Sequence, residues 1–413
     1  HTPTRRQRQM CIRDSLPFRT EKLSPLAPMV LLLWKSRSPP FFMAPTIYCR
    51  GFFLYLTQML KIKNSYNVIG VMSGTSLDGV DICFCNFSFE NDEWKFLIHN
   101  TETVSYEKNW ISRLSNAHSI AQSELKKLDI EYTYYLSSII LDFISENQIN
   151  NIDFISSHGH TILHQPNKKI TYQIGNRVEL NKSTNIPVVC DFRVQDVRLG
   201  GQGAPLVPVG DLLLFKDFSH CLNLGGFSNI SVKSNKSIVA YDICPVNIVL
   251  NKYSRLNGVD FDLDGKISEN GKTNNNLLKS LNQLSYYNSN HPKSLGIEWV
   301  ENTIFPLIDI YNLSVEDILR TFVEHIAIQI SDNLKGINLR ILITGGGVKN
   351  KFLFKRIKKL SNHNFETISV NITDYKEALI FGFLGVLKIR NEKNCLKSVT
   401  GANVDHSSGV IFG

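Results

Sequence analysis

The 413-residue chain carries 45 Lys+Arg against 37 Asp+Glu, a formal net charge of +8, with 43% hydrophobic and 20% charged residues. That length exceeds one ordinary core and predicts two or three domains, and the composition excludes wholesale disorder and a collagen-like or fibrous chain. A positive excess of this size invites a nucleic-acid or membrane-surface partner, but residues 1–58 hold nine basic residues and two acids, so +7 sits there and +1 on the rest.

This front segment also holds seven of the 14 Pro. Its Arg5-Arg6-Gln7-Arg8 run and Pro-broken apolar patches follow no helical or strand period. Pro28 to Trp34 is a short apolar core whose flanks suit a signal peptide poorly. Pro39, Pro40, Pro45, Arg37 and Arg50 interrupt every stretch that approaches a membrane span. Residues 1–58 are therefore read as an extension outside the fold, disordered or not native, with Met59 as the natural internal start.

From there, Val68–Ser73 predicts a strand, residues 74–79 a tight turn and Val80–Phe87 the return strand. Leu125–Ser145 has helical period, with Leu128, Tyr132, Tyr135, Leu136 and Ile139 on one face. Asp153–Ser157 is a strand ending in His158-Gly159-His160-Thr161, where Gly159 and Thr161 suggest a turn. Ile186–Cys190 is a strand buried on both faces, ending in Asp191-Phe192-Arg193. A Gly-rich loop, Leu199–Pro205, leads to a helix or loop through Leu214. Cys221–Leu224 and Ile230–Val232 flank Gly225-Gly226 as a second hairpin. Ser314 caps a helix over Val315–Leu334, with Glu316 and Asp317 in its first turn. Leu339–Thr344 is a buried strand running into Gly345-Gly346-Gly347 and a basic helix, and Lys376–Arg390 is a closing helix. Alternating strands and helices with two separate hairpins indicate an α/β chain with two sheet-based domains. Six Cys lie beyond the front segment without a CxxC pair, which suits buried thiols in a reducing cytosol.

Three glycine turns stand at strand ends, after Ser73, Leu224 and Thr344. Glycines let backbone approach a ligand, and successive N–H groups form anion nests. Any one of them is also an ordinary turn; the ordered set suits a nucleotide held between two domains. No Gly-Lys-Ser/Thr or GxGxxG follows, which disfavours a Walker loop and a dinucleotide fold. Asp191, at the carboxyl end of a buried strand, suits a general base, with Arg193 as an anion binder; a turn-capping Asp with a surface partner is the competing reading. His158 and His160 share a strand face if the strand persists, but no nearby acid or Cys completes a zinc set. Asp242 to Asn247 follows a strand and lines the same region or makes a plain turn. Glu324-His325 sits inside a helix, where an acid is usually solvated.

Taken together, these motifs resemble anhydro-N-acetylmuramic acid kinases of the sugar kinase, chaperone and actin superfamily. The matching stretches are Ile69–Asp81 (IGVMSGTSLDGVD), Ser157–Thr161 (SHGHT), Gln173–Gly175, Asp191–Arg193, Leu199–Pro208 (LGGQGAPLVP), Asn223–Gly226, Tyr241-Asp242, Pro292–Ser294, Gly345–Gly347 with Asn350, and Ser398–Ala402. The resemblance runs from about Val68 to the C-terminus and leaves out the front segment.

The resemblance implies two actin-like (ribonuclease-H-like) domains flanking an interdomain nucleotide and sugar cleft. Residues 59–215 with 380–413 would form the first domain and 216–379 the second. It implies ATP-dependent hydrolytic opening of the anhydro sugar with phosphorylation of O6, in peptidoglycan recycling. Asp191 is the implied catalytic base. Ser73, Gly74, Thr75, Ser76, Leu77, Asp78, Gly79 and Val80, with Asn223, Gly225, Gly226, Gly345, Gly346 and Gly347, are implied for ATP. His158, Arg193, Gly203, Ala204, Pro205 and Glu324 are implied for the sugar, and Asp78 and Asp191 for Mg²⁺ through water. A cytoplasmic homodimer acting on a small amino sugar follows, without nucleic acid or membrane. Two departures stand out: Ile243-Cys244-Pro245-Val246-Asn247 replaces Thr-Gly-Pro-Gly-Asn, and His160 stands where many members have Gln. The alternatives are a kinase of another sugar, against which the Asp191–Arg193 and Gly200–Pro205 stretches argue, and a non-catalytic nucleotide clamp, against which the intact Asp191 argues.

Overall fold

The computed structural model describes residues 62–74, 77–234, 237–291 and 293–413. The expectations placed on residues 1–58, Thr75, Ser76 and Pro292 lie outside the described residues.

In chain order the strands are β1 (Ser65–Ser73), β2 (Gly79–Glu90), β3 (Glu93–Ser105), β4 (Phe154–Gln165), β5 (Ile170–Ile174), β6 (Val188–Cys190), β7 (His220–Leu224), β8 (Phe227–Ser234), β9 (Ser237–Pro245), β10 (Arg340–Thr344), β11 (Asn364–Glu366) and β12 (Val410–Phe412). The helices that matter below are α1 (Gln122–Glu146), α2 (Val194–Arg198), α3 (Pro208–Leu214), α4 (Asn247–Leu256), α5 (Val315–Asn333), α6 (Lys351–Ser361) and α7 (Val370–Ile389). Ser314 caps α5 as expected, its hydroxyl accepting from the Asp317 N–H.

Both sheets follow one plan. In the first, β3, β2 and β1 pair antiparallel, and β4 and β6 continue parallel to β1. In the second, β9, β8 and β7 pair antiparallel, and β10 and β11 continue parallel to β7. The first adds β5 against β4 and the C-terminal β12 against β6. This duplicated plan fits the pair of actin-like domains that the resemblance implies. β3 is the longest of the strands that the sequence does not announce, with β5, β11 and β12. Its charged and polar residues (Lys95, His99, Glu102) leave only a broken apolar alternation.

Helix α7 is the central packing element. On one side, Leu379, Phe383 and Leu387 join Val68, Phe87, Phe154 and Val189 of the first sheet; Cys221 and Leu342 of the second sheet complete the same core. A Cβ at Gly70 would meet the Ala378 carbonyl oxygen at 2.1 Å, so β1 and the helix touch backbone to backbone. Each buried Phe or Leu here contributes about 1.5–3 kcal/mol. The outer face of the first sheet packs on α1 through Leu128, Tyr132, Leu136 and Ile140, and the outer face of the second on α4, α5 and α6. The helix begins at Val370, six residues before the expected Lys376, because Ser369 accepts from the Ile372 N–H as an N-cap. The expected boundary at 379/380 falls inside α7, whose contacts with β1, β2 and β4 attach the helix to the first sheet.

β4 also departs from expectation. It continues through His158-Gly159-His160 instead of turning. Its pairing with β1 slips by one residue between Val71 and Ser73, and Gly159 sits at φ +71°. This is a β-bulge, and it breaks the period-two alternation. His158 and His160 therefore face opposite sides of the sheet, not one side. His158 stacks 4.6 Å from Phe381 on the α7 side, and His160 lies against Tyr106 and Tyr132 on the α1 side.

Candidate active site

β6 delivers Asp191 one residue past its carboxyl end, with the backbone in the left-handed region at φ +58°. A non-Gly residue there is uncommon and marks a shaped turn. Burial pushes the Asp191 carboxyl up to about 6, opposed by the positive charge of Arg198. Such a group is mostly ionised at neutral pH yet basic enough to take a proton, the balance a general base needs.

Two residues on, Arg193 joins the expected sugar-side residues into one unit. Its Nε donates to His158 Nε2 at 2.9 Å, and its Nη1 donates to the Gly203 carbonyl at 2.6 Å. Burial pushes the Arg193 guanidinium down to about 10, so it stays charged at neutral pH. The Gly203 N–H donates to Asp196 Oδ2 at 2.7 Å, and Thr400 Oγ1 donates to Asp196 Oδ1 at 2.7 Å. Gly203 is at φ +68°, and a Cβ there would meet Val197 Cγ2 at 2.8 Å, so only glycine fits. Ala204 and Pro205 follow, half-buried. Asp196, fully buried on α2, is a residue that sequence reading missed.

The first hairpin divides its residues between inside and outside. Ser73 is 1% exposed, and its hydroxyl is spent inward: Oγ lies 2.7 Å from His160 Nδ1 and 2.6 Å from Tyr106 OH. Val80 is fully buried and Leu77 packs on the same core. Gly74, Asp78 and Gly79 form the described remainder of the turn. Burial pushes the Asp81 carboxyl up to about 6, with Asp78, Glu377 and Asp374 adding like charge. Burial also pushes Glu377 up, against the pull of Lys376 and Arg193. Glu377 is a second residue that sequence reading missed, since an acid near the start of a largely apolar helix carries no local signature. Asp78 adds like charge to both Asp81 and Glu377, while the charge acting on Asp191 is that of Arg198.

The two later glycine turns meet each other. β7 and β10 run parallel with Asn223 opposite Thr344, and Thr344 Oγ1 donates to Asn223 Oδ1 at 3.3 Å. A Cβ at Gly345 would meet Asn223 Oδ1 at 2.6 Å, and one at Gly347 would meet Leu224 Cβ at 2.8 Å. Val246 N–H donates to the Gly226 carbonyl at 2.8 Å, seating α4 on the second hairpin. The Gly345 N–H donates to the Thr373 carbonyl at 3.0 Å in the first turn of α7, the helix that carries Glu377.

Residues 66–413 match the family model described as anhydro-N-acetylmuramic acid kinase. The chain belongs to the anhydro-N-acetylmuramic acid kinase family. It is 32% identical over 363 residues to the anhydro-N-acetylmuramic acid kinase of Sulfurovum sp. (strain NBC37-1), covering 84% of this chain and 99% of that protein. It is 34% identical over 367 residues to the enzyme of that name from Pseudomonas syringae pv. syringae (strain B728a), covering 83% and 98%. Where many anhydro-N-acetylmuramic acid kinases have Gln, His160 keeps a hydrogen bond to Ser73, and burial pushes its imidazole down to about 4. Just before the altered stretch Asp242 accepts from the Leu295 N–H at 2.9 Å, and within it Cys244 is fully buried. Glu324, expected on the sugar side, lies on α5 and accepts from Arg356 Nη2 at 2.8 Å, with Arg320 3.4 Å away. These two arginines hold its carboxylate among the helices of the second sheet. The neighbouring His325 is likewise held, bonded to Asn282 and Tyr287 through both ring nitrogens.

Proposed function

We propose that this chain takes 1,6-anhydro-N-acetylmuramic acid, ATP and water to N-acetylmuramic acid 6-phosphate and ADP, as a step of peptidoglycan recycling in the cytoplasm. The observation that carries the reading is Asp191, held at a strand end in a strained turn with its carboxyl raised to about 6, in a chain of this family.

The anhydro sugar has no free 6-hydroxyl, because O6 is bonded to C1. Asp191 accepts a proton from water as that water's oxygen bonds C1. The C1–O6 bond breaks, and O6 takes the γ-phosphoryl group while ADP leaves. This joins the base-activated water of an inverting glycosidase to phosphoryl transfer. Arg193 and His158 hold the sugar beside the base, and the Gly203 loop fixes their positions. The three glycine turns hold the nucleotide, with Gly74 and Gly79 on the phosphate side and Gly345–Gly347 against the nucleoside.

The carboxylates of Asp78 and Asp191 are hard oxygen donors of the kind Mg²⁺ takes through water, and the like charge of Asp81 and Glu377 around Asp78 favours a cation on that side. Magnesium there supplies charge neutralisation for the phosphates. Six described cysteines are free and buried, which supports a reducing compartment. No described helix is long and apolar enough to cross a membrane.

Purified protein with ATP, Mg²⁺ and the anhydro sugar tests the reading. Mass spectrometry is expected to show a product that has gained both water and a phosphoryl group. ATP hydrolysis alone, or phosphorylation of a different sugar in preference, overturns it.

A further inference from the structure

Behind the Gly203 loop, Asp196 meets two residues from the C-terminal segment, Cys395 and His406. We propose that Asp196, Cys395 and His406 bind a zinc ion, which clasps the C-terminal segment to the loop that carries Gly203.

The three donor atoms all lie within 4.8 Å of one another, and the three residues are buried. His406 Nε2 stands 3.5 Å from Asp196 Oδ1, too far and too poorly aligned for a hydrogen bond. It is a buried ring nitrogen without a hydrogen-bond partner, in a residue only 8% exposed. The edge of a zinc tetrahedron with nitrogen, oxygen and sulfur ligands is about 3.3–3.8 Å, which that separation matches.

The surroundings are those of a ligand set. Cys395 and His406 pair across an isolated antiparallel bridge through both backbone hydrogen bonds, which sets their side chains side by side. His406 Nδ1 donates to the Val404 carbonyl at 3.1 Å, which turns the Nε2 lone pair toward Asp196. Asp196 is oriented by Gly203 N–H and Thr400 Oγ1. Ligating histidines and carboxylates are ordinarily held by such outer contacts.

One sulfur, one nitrogen and one carboxylate oxygen select zinc over magnesium or calcium, and water completes four-coordination. On binding, the Cys395 thiol gives its proton to solvent as the metal–sulfur bond forms. His406 binds through the Nε2 lone pair and Asp196 through a carboxylate oxygen. Thiolate and carboxylate cancel the dication, so the occupied site carries no net charge. The metal's purpose is mechanical, because Gly203 also holds Arg193.

Full-length protein, freed of metal by chelation, is titrated with Co²⁺ as a spectroscopic stand-in. One equivalent is expected to give tetrahedral d–d bands and a sulfur-to-cobalt charge-transfer band, both lost on adding Zn²⁺. Cys395→Ser should abolish the charge-transfer band, and His406→Ala should weaken binding at least tenfold. Zn²⁺ should raise the melting temperature of the parent protein and leave that of Cys395→Ser unchanged. Absence of a sulfur-to-cobalt band in the parent protein overturns the proposal without any variant. So does a band that survives in Cys395→Ser, which places the metal on another thiol.

Discussion

Arg193 donates its Nε hydrogen to Nε2 of His158 at 2.9 Å, and this fixes the tautomer of the histidine. With Nε2 accepting, the ring proton sits on Nδ1 and donates to the Gly159 carbonyl at 2.8 Å. Burial, with the nearby charge of Arg193, holds the His158 imidazole well below its usual range, so it stays neutral. His158 is therefore a fixed support for the guanidinium, not a proton carrier.

Arg193→Lys tests that bracket. A single ammonium cannot reproduce the fork that reaches both His158 and the Gly203 carbonyl. We expect kcat/KM to fall by roughly 10–100-fold with circular dichroism unchanged, a misplacement effect of the usual size. Parental kinetics in the variant would remove Arg193 from the site.

Asp191→Asn is expected to abolish turnover while ATP affinity, read by calorimetry, is kept. Burial raises this carboxyl to about 6, so protonation below that pH removes the base. The kcat/KM profile of the parent protein should therefore have an acid limb near pH 6, falling tenfold per pH unit below it. Loss of ATP binding in the variant would make Asp191 a structural or metal-holding residue first.

His160 bears on stability. Burial lowers it to about 4, whereas the unfolded chain titrates near 6.5. Between those values the unfolded state binds more protons, so stability is complete above about pH 6.5 and is lost as pH falls toward 4. His160→Gln keeps a hydrogen bond to Ser73 and removes the titration. Urea unfolding at pH 7 should differ by less than about 1 kcal/mol. At pH 4.5 the variant should gain on the parent protein by on the order of 2 kcal/mol. Equal loss in both would show that His160 is not a source of acid sensitivity.

Lys376 and Asp211 form an ion pair at 3.1 Å with side chains 4% and 2% exposed, and Ser231 Oγ donates to the same carboxylate at 2.7 Å. Lys376→Met leaves Asp211 buried and unpaired, at a cost of about 3–5 kcal/mol. Lys376→Met with Asp211→Leu should recover most of that loss, because desolvation of the pair offsets its attraction. Denaturant midpoints of the two variants check the order.

The candidate site was partly legible from local pattern. A short apolar run marks β6 and so puts Asp191 at its end. Glycines mark three turns, and Ser314 marks a cap. These signals depend on one or two turns of chain, where steric preference and period act directly. Asp196 and Glu377 were not legible, because their partners Thr400, His406, Asp78 and Arg193 come from distant segments.

By itself the sequence determined the strand–turn–strand units, the α/β alternation and the family, all carried by short-range residue order. The tertiary structure alone decided where side chains went. The bulge at Gly159 sends two histidines two residues apart to opposite faces of the sheet. Arg356, 32 residues away in the chain, claims Glu324, and Asp211, 165 residues away, claims Lys376. The physical reason is that a buried charge must find its partner wherever the packed sheets bring one within reach, and sequence distance does not enter that requirement.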